Sequence, residues 1–412
     1  MSQNKFWYQC VDCGIEYDAK SIIYLCIECS KHNSANNPPK GVLKVHYNYN
    51  NLKGIDLITE YKAHNNNLLP LLPIYNIQSL GTLQVGNTPL YQFNKLSGST
   101  SINLFFKDES HNPTYSLKDR ASSMVSAFAK EHNINQIITA STGNAGSSLA
   151  GICASQNQEA IVLLPKSAPK AKLIQSAMYG AKLIPVNGTY DDCLTLSKQI
   201  SDELGIYNRN TAYNPITIEG KKTISFELYS NFKGKLPDYI FVPVGDGCII
   251  SGLYKGFEDL LKLKLIEKIP TIVAVQAKGS AGIINNLETE SFTLVASKTV
   301  ADSIQVDVPQ NFYMTRNFIS QYKGATITVS DMEILEASSI LSRNTGLFTE
   351  PASAAAFAGF INLQKQSIID SKVTCLILLT GSGLKDSSSY SQQIKTNYSV
   401  EVDISEIKKL LV

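Results

Sequence analysis

Short apolar runs alternate with longer helical stretches between about residues 81 and 390, and this alternation constrains the fold more than any other feature. Seven of the runs are typical of buried strands: NLFFKDE at 103, QIITAS at 136, AIVLLP at 160, KLIPVN at 182, YIFVPVG at 239, TIVAVQA at 271 and CLILLTG at 375. The helical stretches cover 118–131, 145–156, 168–179, 189–204, 219–231, 250–264, 331–344 and 353–366. Such an alternation predicts an α/β fold in which parallel sheets carry helices on both faces.

Three predicted strands end in a loop rich in Gly or Ser that opens a helix. In parallel sheets, ligands bind beyond the carboxyl ends of the strands. The backbone amides of the loop GDGCIISG, at 245–252, suit a phosphate group, and a purely structural turn is the alternative. The loop STGNAG, at 141–146, suits a carboxylate, and the alternative there is a helix start capped by Ser141 or Thr142.

Two Cys-x-x-Cys pairs, separated by twelve residues, stand near the N-terminus and are formed by Cys10, Cys13, Cys26 and Cys29. Each pair offers two thiolates from one tight turn, and two such pairs complete a tetrahedral zinc site. Four protein ligands leave no open coordination position, so this zinc is expected to be structural. Two disulfides, which are rare in the cytosol, or a redox pair are the alternatives.

Composition and charge narrow the functional classes. The chain has 412 residues, enough for two or three domains, and 43% of them are apolar, as in an ordinary globular protein. A formal net charge of +2 gives no electrostatic signature of nucleic-acid or anionic-membrane binding. We see neither a secretory leader nor an apolar stretch of membrane-spanning length. We therefore expect a cytoplasmic protein without nucleic-acid or membrane partners, and we expect its scattered cysteines, at 153, 193, 248 and 375, to be buried and reduced.

Lys118 lies at the start of a predicted helix, in the stretch NPTYSLKDR at 112–120. A lone lysine in such a position is usually a solvated surface charge. A functional interpretation needs other segments that bring a chemical partner to it.

Seven segments, taken in order, resemble the threonine synthase group of pyridoxal phosphate enzymes, whose fold is shared with tryptophan synthase β chains, threonine dehydratases and cysteine synthases. They are GNTPL at 86–90, NPTYSLKDR at 112–120, STGNAG at 141–146, NPITIEGKKT at 214–223, PVGDG at 243–247, GLFTEPASAAA at 346–356 and LTGSGLKD at 379–386. The paired cysteines also look like the zinc ribbon on many members. The resemblance implies an α/β fold of two parallel-sheet domains with the cofactor in the cleft between them, plus a small N-terminal zinc ribbon.

The predicted organisation has four segments. A zinc-ribbon-like segment covers 1–35 and a connector covers 36–80. The catalytic body covers 81–390, with its smaller subdomain at about 120–230, and a C-terminal tail covers 391–412. A homodimer is expected by resemblance only.

The resemblance also implies a role for each motif residue. Lys118 matches the lysine that binds pyridoxal phosphate covalently. In an apolar pocket the pKa of such a lysine falls, and its amine becomes a nucleophile. Asn144 matches the residue that bonds the ring hydroxyl, and Thr380 matches the hydroxyl residue beside the pyridine nitrogen. The phosphate cup matches Gly245, Asp246, Gly247, Cys248 and Ile249, and the substrate carboxylate is expected on Ser141, Thr142 and Gly143.

A hydroxyl beside the pyridine nitrogen makes the ring a weaker electron sink than a carboxylate would, so elimination and replacement suit such an enzyme better than transamination. The implied reaction converts O-phosphohomoserine and water into threonine and phosphate, with Lys118 as the base that takes the Cα proton. Near this lysine, Tyr115 stands where the family has a glycine, a change that we expect to be tolerated.

The sequence departs from the family where the substrate phosphate is bound. Threonine synthases carry an Asn-Ser pair and then an arginine, whereas this chain has Thr211, Ala212 and Thr217. Loss of the arginine removes a charge-assisted contact worth about 1.5–3 kcal/mol. Lys221 or Lys222 could replace it if one of them faces the site.

This departure keeps a second reaction open, namely β-replacement or β-elimination on O-phosphoserine, serine or threonine, as in cysteine or cysteate synthases and dehydratases. A third hypothesis is a non-catalytic relative that binds a partner through the ribbon or the connector. A fourth is a zinc-ribbon nucleic-acid binder, which the near-zero net charge argues against. The intact Lys118, Asn144, glycine loop and Thr380 argue against lost catalysis. Glu350 stands at a predicted helix start, and we expect its charge to stabilise that helix rather than to serve the active site.

Overall fold

The computed structural model describes residues 4–52, 54, 56, 59, 68–98, 101–393 and 402–411. The strands in these residues are β1 (Phe6–Cys10), β2 (Glu16–Asp18), β3 (Leu43–Tyr47), β4 (Leu90–Gln92), β5 (Asn103–Asp108), β6 (Gln136–Ala140), β7 (Glu159–Pro165), β8 (Lys182–Val186), β9 (Tyr207–Asn208), β10 (Tyr239–Pro243), β11 (Thr271–Ala277), β12 (Ala325–Val329) and β13 (Thr374–Leu379). The α-helices in the same residues are α1 (Ile27–Ser30), α2 (Lys118–Glu131), α3 (Asn144–Ser155), α4 (Lys170–Met178), α5 (Tyr190–Leu204), α6 (Ile216–Asn231), α7 (Cys248–Lys262), α8 (Phe312–Gln321), α9 (Asp331–Thr345), α10 (Pro351–Lys365) and α11 (Ile404–Leu411).

All seven predicted strands and all eight predicted helices are present, with ends shifted by at most three residues. Within residues 81–390 the sequence reasoning missed β4, β9, β12 and α8, and it proposed no strands or helices for the N-terminal segment, where β1–β3 and α1 lie. β9 has two residues, too few to show a periodic pattern. β4 and β12 are the two edge strands of a sheet, and edge strands lack the continuous apolar run of a strand that is buried on both faces.

The smaller parallel sheet contains four strands in the order β8-β7-β6-β9. Helices cover both of its faces. On one face, Ile138 and Leu163 belong to a core with Cys193 of α5. On the other face, Ile137 belongs to a core that includes Val125 of α2. Burial on both faces explains the continuous apolar runs of these strands.

The larger sheet contains six strands in the order β12-β11-β10-β13-β5-β4, and all its pairs are parallel except β4 with β5. The alanine-rich helix α10 packs against it at short range. A Cβ atom added at Gly359 of α10 would stand 2.7 Å from a methyl carbon of Val275 in β11. Two parallel sheets with helices on both faces confirm the predicted α/β fold.

A third sheet, antiparallel in the order β2-β1-β3, lies beside the paired cysteines. Its strand β3 comes from the segment predicted to be a connector, so this sheet continues past residue 35. Tyr47 at the end of β3 donates a hydrogen bond of 2.5 Å to Glu219 of α6. Lys222 of α6 pairs with both Glu219 and Asp259 of α7. This buried ionic network attaches the N-terminal sheet to two helices of the main body.

Tyr24, between the two cysteine pairs, makes a second attachment. Its ring stacks on that of Tyr213, with the ring centroids 4.6 Å apart. Its hydroxyl oxygen accepts a hydrogen bond of 2.8 Å from the amide of Asn208, the last residue of β9. The N-terminal segment thus contacts β9 and the loop that follows it, at the edge of the smaller sheet.

Each of the four predicted segments has residues outside the described ones, and most of these residues belong to the connector at 36–80 and the tail at 391–412. The described end of the tail forms α11. Among the helices of the described chain, none combines the length and apolar character that crossing a lipid bilayer requires.

Candidate active site

A cavity of about 520 Å³ lies where the carboxyl ends of strands from both parallel sheets meet, as expected for ligand sites in such folds. The turns after β6 and β9 line it from the smaller sheet, and those after β10 and β13 line it from the larger sheet. Every residue predicted to bind cofactor or substrate lies on its wall, and these are Lys118, Ser141, Thr142, Gly143, Asn144, Gly245, Asp246, Gly247, Cys248, Ile249 and Thr380. The structure therefore brings the separate motifs together, while their individual roles stay predictions.

Lys118 is the first residue of α2, and the turn before it is held on two sides. The Asp119 carboxylate accepts hydrogen bonds from the Thr114 amide, at 2.6 Å, and from the Thr114 hydroxyl, at 2.5 Å. The Leu117 amide donates to the carbonyl oxygen of Thr380 at 2.9 Å. These bonds fix the start of α2 against the end of β13 and so direct Lys118 to the cavity.

The Lys118 amine lies in an environment that disfavours its charged form. Burial is the main cause that lowers the pKa of Lys118, the Glu350 carboxylate opposes that shift, and the Arg209 guanidinium adds to it. Within the described residues Lys118 forms no ion pair. A lowered pKa favours the neutral amine, which is the form that both a nucleophile and a general base require.

Tyr115 has a φ of 70°, which lies in the left-handed region. A non-glycine residue there costs roughly 1–2 kcal/mol, which accounts for the family's preference for glycine. The Tyr115 side chain is 55% exposed and does not enter the cavity wall. The substitution is compatible with the site because the ring points to solvent and only the backbone is strained.

The loop after β6 has the features of both roles considered for it, a capped helix start and a carboxylate site. The Ser141 hydroxyl oxygen accepts hydrogen bonds from the amides of Gly143, at 3.2 Å, and Gly146, at 2.9 Å, so it does cap the start of α3. The amides of Thr142, Asn144 and Ala145 have no acceptor among the described residues. These unpaired amides at a helix N-terminus suit an anion such as a carboxylate.

The loop after β10 needs its glycines. A Cβ atom at Gly245 would stand 2.9 Å from the Ile304 Cα, and one at Gly247, whose φ is 86°, would stand 2.1 Å from the Thr315 hydroxyl oxygen. The six consecutive amides from 245 to 250 have no acceptor among the described residues. Such a row of free amides at the start of α7 is a ready cradle for a phosphate group.

Glu350 corrects the prediction made for it from the sequence. It precedes α10, but its side chain makes no capping hydrogen bond. Its carboxylate instead accepts hydrogen bonds from the Asn144 side-chain amide, at 2.8 Å, and from the Ser303 hydroxyl, at 3.1 Å, on the cavity wall. A charge at a helix start was the simpler interpretation because nothing in the sequence links residues 144 and 350.

The Thr380 hydroxyl is fixed but uncharged. It shares a hydrogen bond of 3.0 Å with the hydroxyl of Ser353 in α10. The Ser353 oxygen also accepts hydrogen bonds from the amides of Thr380 and Gly381, at 2.9 Å and 2.8 Å. A neutral hydroxyl held in this way can bond a ring nitrogen without keeping a proton on it.

Two cations on the cavity wall were not among the predicted site residues. Arg209 follows β9 directly, and Lys221 lies in the second turn of α6. Thr217, which stands in place of the family's arginine, is absent from the wall and bonds the carbonyl oxygen of Asn214 at 2.8 Å. Of the two lysines considered as replacements, Lys221 faces the cavity and its neighbour Lys222 does not.

The four paired cysteines lie together outside the cavity, with all Sγ atoms within 4.8 Å of one another. The Cys13 and Cys26 sulfurs are 3.6 Å apart. A disulfide would bring two sulfurs to about 2.0 Å, whereas two thiolates at about 2.3 Å from one tetrahedral zinc ion stand about 3.8 Å apart. The spacing fits a shared metal ion. The four scattered cysteines are free and buried, as predicted.

A family model described as pyridoxal-phosphate dependent enzyme matches residues 81–381. The chain belongs to the pyridoxal-phosphate dependent enzyme family. The matched range contains every residue predicted to bind the cofactor, from Lys118 to Thr380, and it excludes the four paired cysteines.

Comparison with individual proteins narrows the group within this family. The chain is 34% identical to the threonine synthase of Methanocaldococcus jannaschii over 413 residues, and 32% identical to that of Methanosarcina acetivorans over 411 residues, with 98% of each chain covered in both comparisons. These similarities show that the chain is a pyridoxal phosphate-dependent lyase of the threonine synthase group, as the sequence motifs predicted.

Solved structures confirm the fold. The processed form of threonine deaminase isoform 2 from Solanum lycopersicum is 21% identical, with a TM-score of 0.66 over 84% of this chain and 95% of that one. Maize serine racemase is 22% identical, with a TM-score of 0.66 over 83% of this chain and 97% of that one. At such identities the likeness concerns the fold alone.

Proposed function

We propose that this protein converts O-phosphohomoserine and water into threonine and phosphate with pyridoxal 5'-phosphate as its cofactor. The observation that carries the proposal is the composition of one cavity wall. It holds a lysine of lowered pKa, the free amides of Thr142, Asn144 and Ala145, and a second row of free amides at 245–250. Two separate anion sites beside one lysine suit a phosphorylated cofactor and an amino-acid carboxylate.

The chain's residues fit the cofactor. Lys118 would hold it covalently, and the amides from Gly245 to Ile249 would hold its phosphate. Asn144 and Thr380 would hold the ring, the first through its side-chain amide and the second through its hydroxyl. When bound, pyridoxal phosphate supplies the electron sink that makes the substrate's Cα–H bond acidic.

The protein's own groups then have distinct tasks. The Lys118 amine takes the proton from the substrate Cα, and burial, which lowers its pKa, favours the neutral amine that this step needs. The amides of Thr142, Asn144 and Ala145 hold the substrate carboxylate at the N-terminus of α3. Glu350 holds the Asn144 side chain in place through a hydrogen bond of 2.8 Å.

The proposal is tested by the visible absorption spectrum of the purified protein. We expect a visible cofactor band that shifts when O-phosphohomoserine is added, together with equal release of threonine and phosphate. Unphosphorylated homoserine is the matched control and should release no threonine. A protein purified without any visible band, even after cofactor is added, would contradict the proposal.

The same titration decides the second candidate function. β-Replacement or β-elimination on O-phosphoserine, serine or threonine is favoured by the Thr211, Ala212 and Thr217 positions, where the family's phosphate-binding residues are absent. A spectral shift with one of those amino acids and none with O-phosphohomoserine would establish that candidate instead.

We infer that Cys10, Cys13, Cys26 and Cys29 bind one structural zinc ion. Support comes from the mutual spacing of their sulfurs, within 4.8 Å, which suits four thiolates around one ion. A site closed by four cysteines has no position for substrate. The expected role is therefore to stabilise the N-terminal sheet and, through Tyr24 and Tyr47, its attachment to the main body.

Metal analysis checks this inference. We expect about one zinc ion per chain. Cys26→Ser should lose the zinc and unfold at a lower Tm, because small segments built around a structural zinc ion fold poorly without it. Cys193→Ser, which alters a buried cysteine outside the cluster, should keep its zinc. A zinc-free protein with an unchanged Tm would contradict the inference.

A further inference from the structure

We propose that Arg209 and Lys221 bind the phosphate group of the substrate and set the preference for phosphorylated over unphosphorylated amino acids. This inference rests on the proposed function and deepens it, because it assigns a phosphate site to residues outside the family's pattern. The shared chemistry of the ligand is a phosphate monoester, which both the substrate and the cofactor carry.

Arg209 is a buried cation without an acidic partner. It is 0% exposed, its Nη1 donates to the Thr211 hydroxyl at 3.0 Å, and its Nε donates to the Ser122 hydroxyl at 3.3 Å. Its Nη2 is buried and has no hydrogen-bond partner among the described residues. A buried guanidinium normally pairs with a carboxylate or another anion, so an unpartnered Nη2 on a residue that lines the cavity indicates an anionic ligand.

Lys221 adds a second unpaired cation to the same wall. Its amine is fully buried and donates to the carbonyl oxygen of Thr217 at 3.3 Å, a neutral acceptor. Burial lowers the pKa of Lys221 to about 7, the nearby Cys248 thiol opposes the shift, and the charges of Arg209 and Lys118 add to it. A dianion between these cations would restore the charged form of the lysine and remove the repulsion.

The neighbouring lysine shows what a structural cation looks like in this protein. Lys222 lies 2.8 Å from Asp259, also pairs with Glu219, and stands 4.0 Å from the ring centroid of Tyr47. Its charge is paired with two carboxylates inside the protein. Lys221 and Arg209 have no ion pair within the described residues. An anionic ligand in the cavity would therefore be their counter-ion.

For Arg209, position favours the substrate over the cofactor as the source of the phosphate. The free amides at 245–250 already form a cradle for one phosphate at the larger sheet. Arg209 belongs to the smaller sheet, where its amide bonds the carbonyl oxygen of Ile138 in β6 at 2.8 Å. The loop after β6 carries the predicted carboxylate site, so Arg209 lies on the substrate side of the cavity. It stands eight residues before Thr217 and supplies the charge that this position lacks.

The experiment compares Arg209→Gln and Lys221→Gln with the charge-keeping Arg209→Lys and Lys221→Arg in the full-length holoenzyme. We expect each glutamine variant to raise KM for O-phosphohomoserine by about 10- to 100-fold, and to weaken binding of inorganic phosphate, measured by calorimetry, to a similar extent. Cofactor Kd should change less than about threefold. The charge-keeping variants should recover part of the phosphate affinity. Arg316→Gln and Lys268→Gln, which lie outside the cavity wall, are matched controls.

Three outcomes would overturn the inference. Loss of cofactor affinity with unchanged KM would mean that these cations hold the cofactor phosphate. Unchanged KM, phosphate affinity and cofactor affinity would mean that neither phosphate is their ligand. An equal loss of affinity in the charge-keeping variants would indicate a packing role. If the native enzyme fails to turn over O-phosphohomoserine, the proposed function fails, and the phosphate titration still decides whether these two residues form a phosphate site.

Discussion

Replacing Lys118 with alanine is expected to lower kcat for threonine formation by about 10²- to 10⁴-fold, the range that a positioned proton-transferring group contributes. The physical reason is that the Lys118 amine is the basic nitrogen of lowered pKa at the start of α2 on the cavity wall. The measurement is single-turnover release of phosphate and threonine from O-phosphohomoserine. Borohydride reduction followed by peptide mass spectrometry should place the cofactor label on Lys118 in the native protein.

Lys118→Arg is the matched control because it keeps the charge and approximate length but cannot give up its proton near neutral pH. It should be as inactive as Lys118→Ala while retaining the native thermal unfolding curve. A label found on Lys221, or an alanine variant with more than about a tenth of native kcat, would contradict the assignment.

Replacing Arg120 with methionine is expected to lower the free energy of unfolding by about 3–5 kcal/mol, as for other buried ion pairs that lose one partner. Arg120 is 3% exposed, and its guanidinium lies 2.6 Å from the Glu109 carboxylate and 2.6 Å from that of Glu227. The substitution leaves one carboxylate without its cation and weakens the pairing of the other. Urea unfolding followed by circular dichroism measures the loss. Arg343→Met, at an exposed position, should change the free energy of unfolding by less than about 1 kcal/mol.

The same network predicts a loss of stability in acid. Burial alone would raise the pKa of Glu227, but the charges of Arg120 and Lys107 outweigh it and bring that pKa to about 2, from an ordinary value of 4.5. Because the pKa is lower in the folded state, the contribution is complete above about pH 4.5 and is lost as the pH falls towards 2. The difference between the two pKa values corresponds to about 3 kcal/mol.

The pH dependence separates this network from general acid unfolding. Native protein should lose stability steeply below pH 4.5, and Glu227→Gln should start less stable at pH 7 and lose less as the pH falls. Parallel curves for the two proteins would show that Glu227 is not the group responsible. An unchanged urea midpoint for Arg120→Met would likewise show that the network contributes little.

The amino-acid order was enough to locate the fold and most of the site. Apolar runs mark the buried strands because a strand covered on both faces has no polar side to show, and the sequence for this reason identified β6, β7, β10, β11 and β13. The glycine loops were recognisable because Gly245 and Gly247 leave no space for a side chain. Motifs of this kind depend on local backbone geometry, which neighbouring residues encode.

Side-chain direction and long-range partners depended on the tertiary structure. Lys221 and Lys222 are adjacent on α6, about 100° apart around its axis, and packing alone decides that the first faces the cavity and the second faces Asp259. Arg209 gave no signal because β9, the strand directly before it, has only two residues. Glu350 was misjudged because its partner Asn144 is distant in sequence. The order of residues thus determined which loops present free backbone amides. The tertiary structure decided which charged side chains lack an ion-pair partner, because that depends on every segment packed around them.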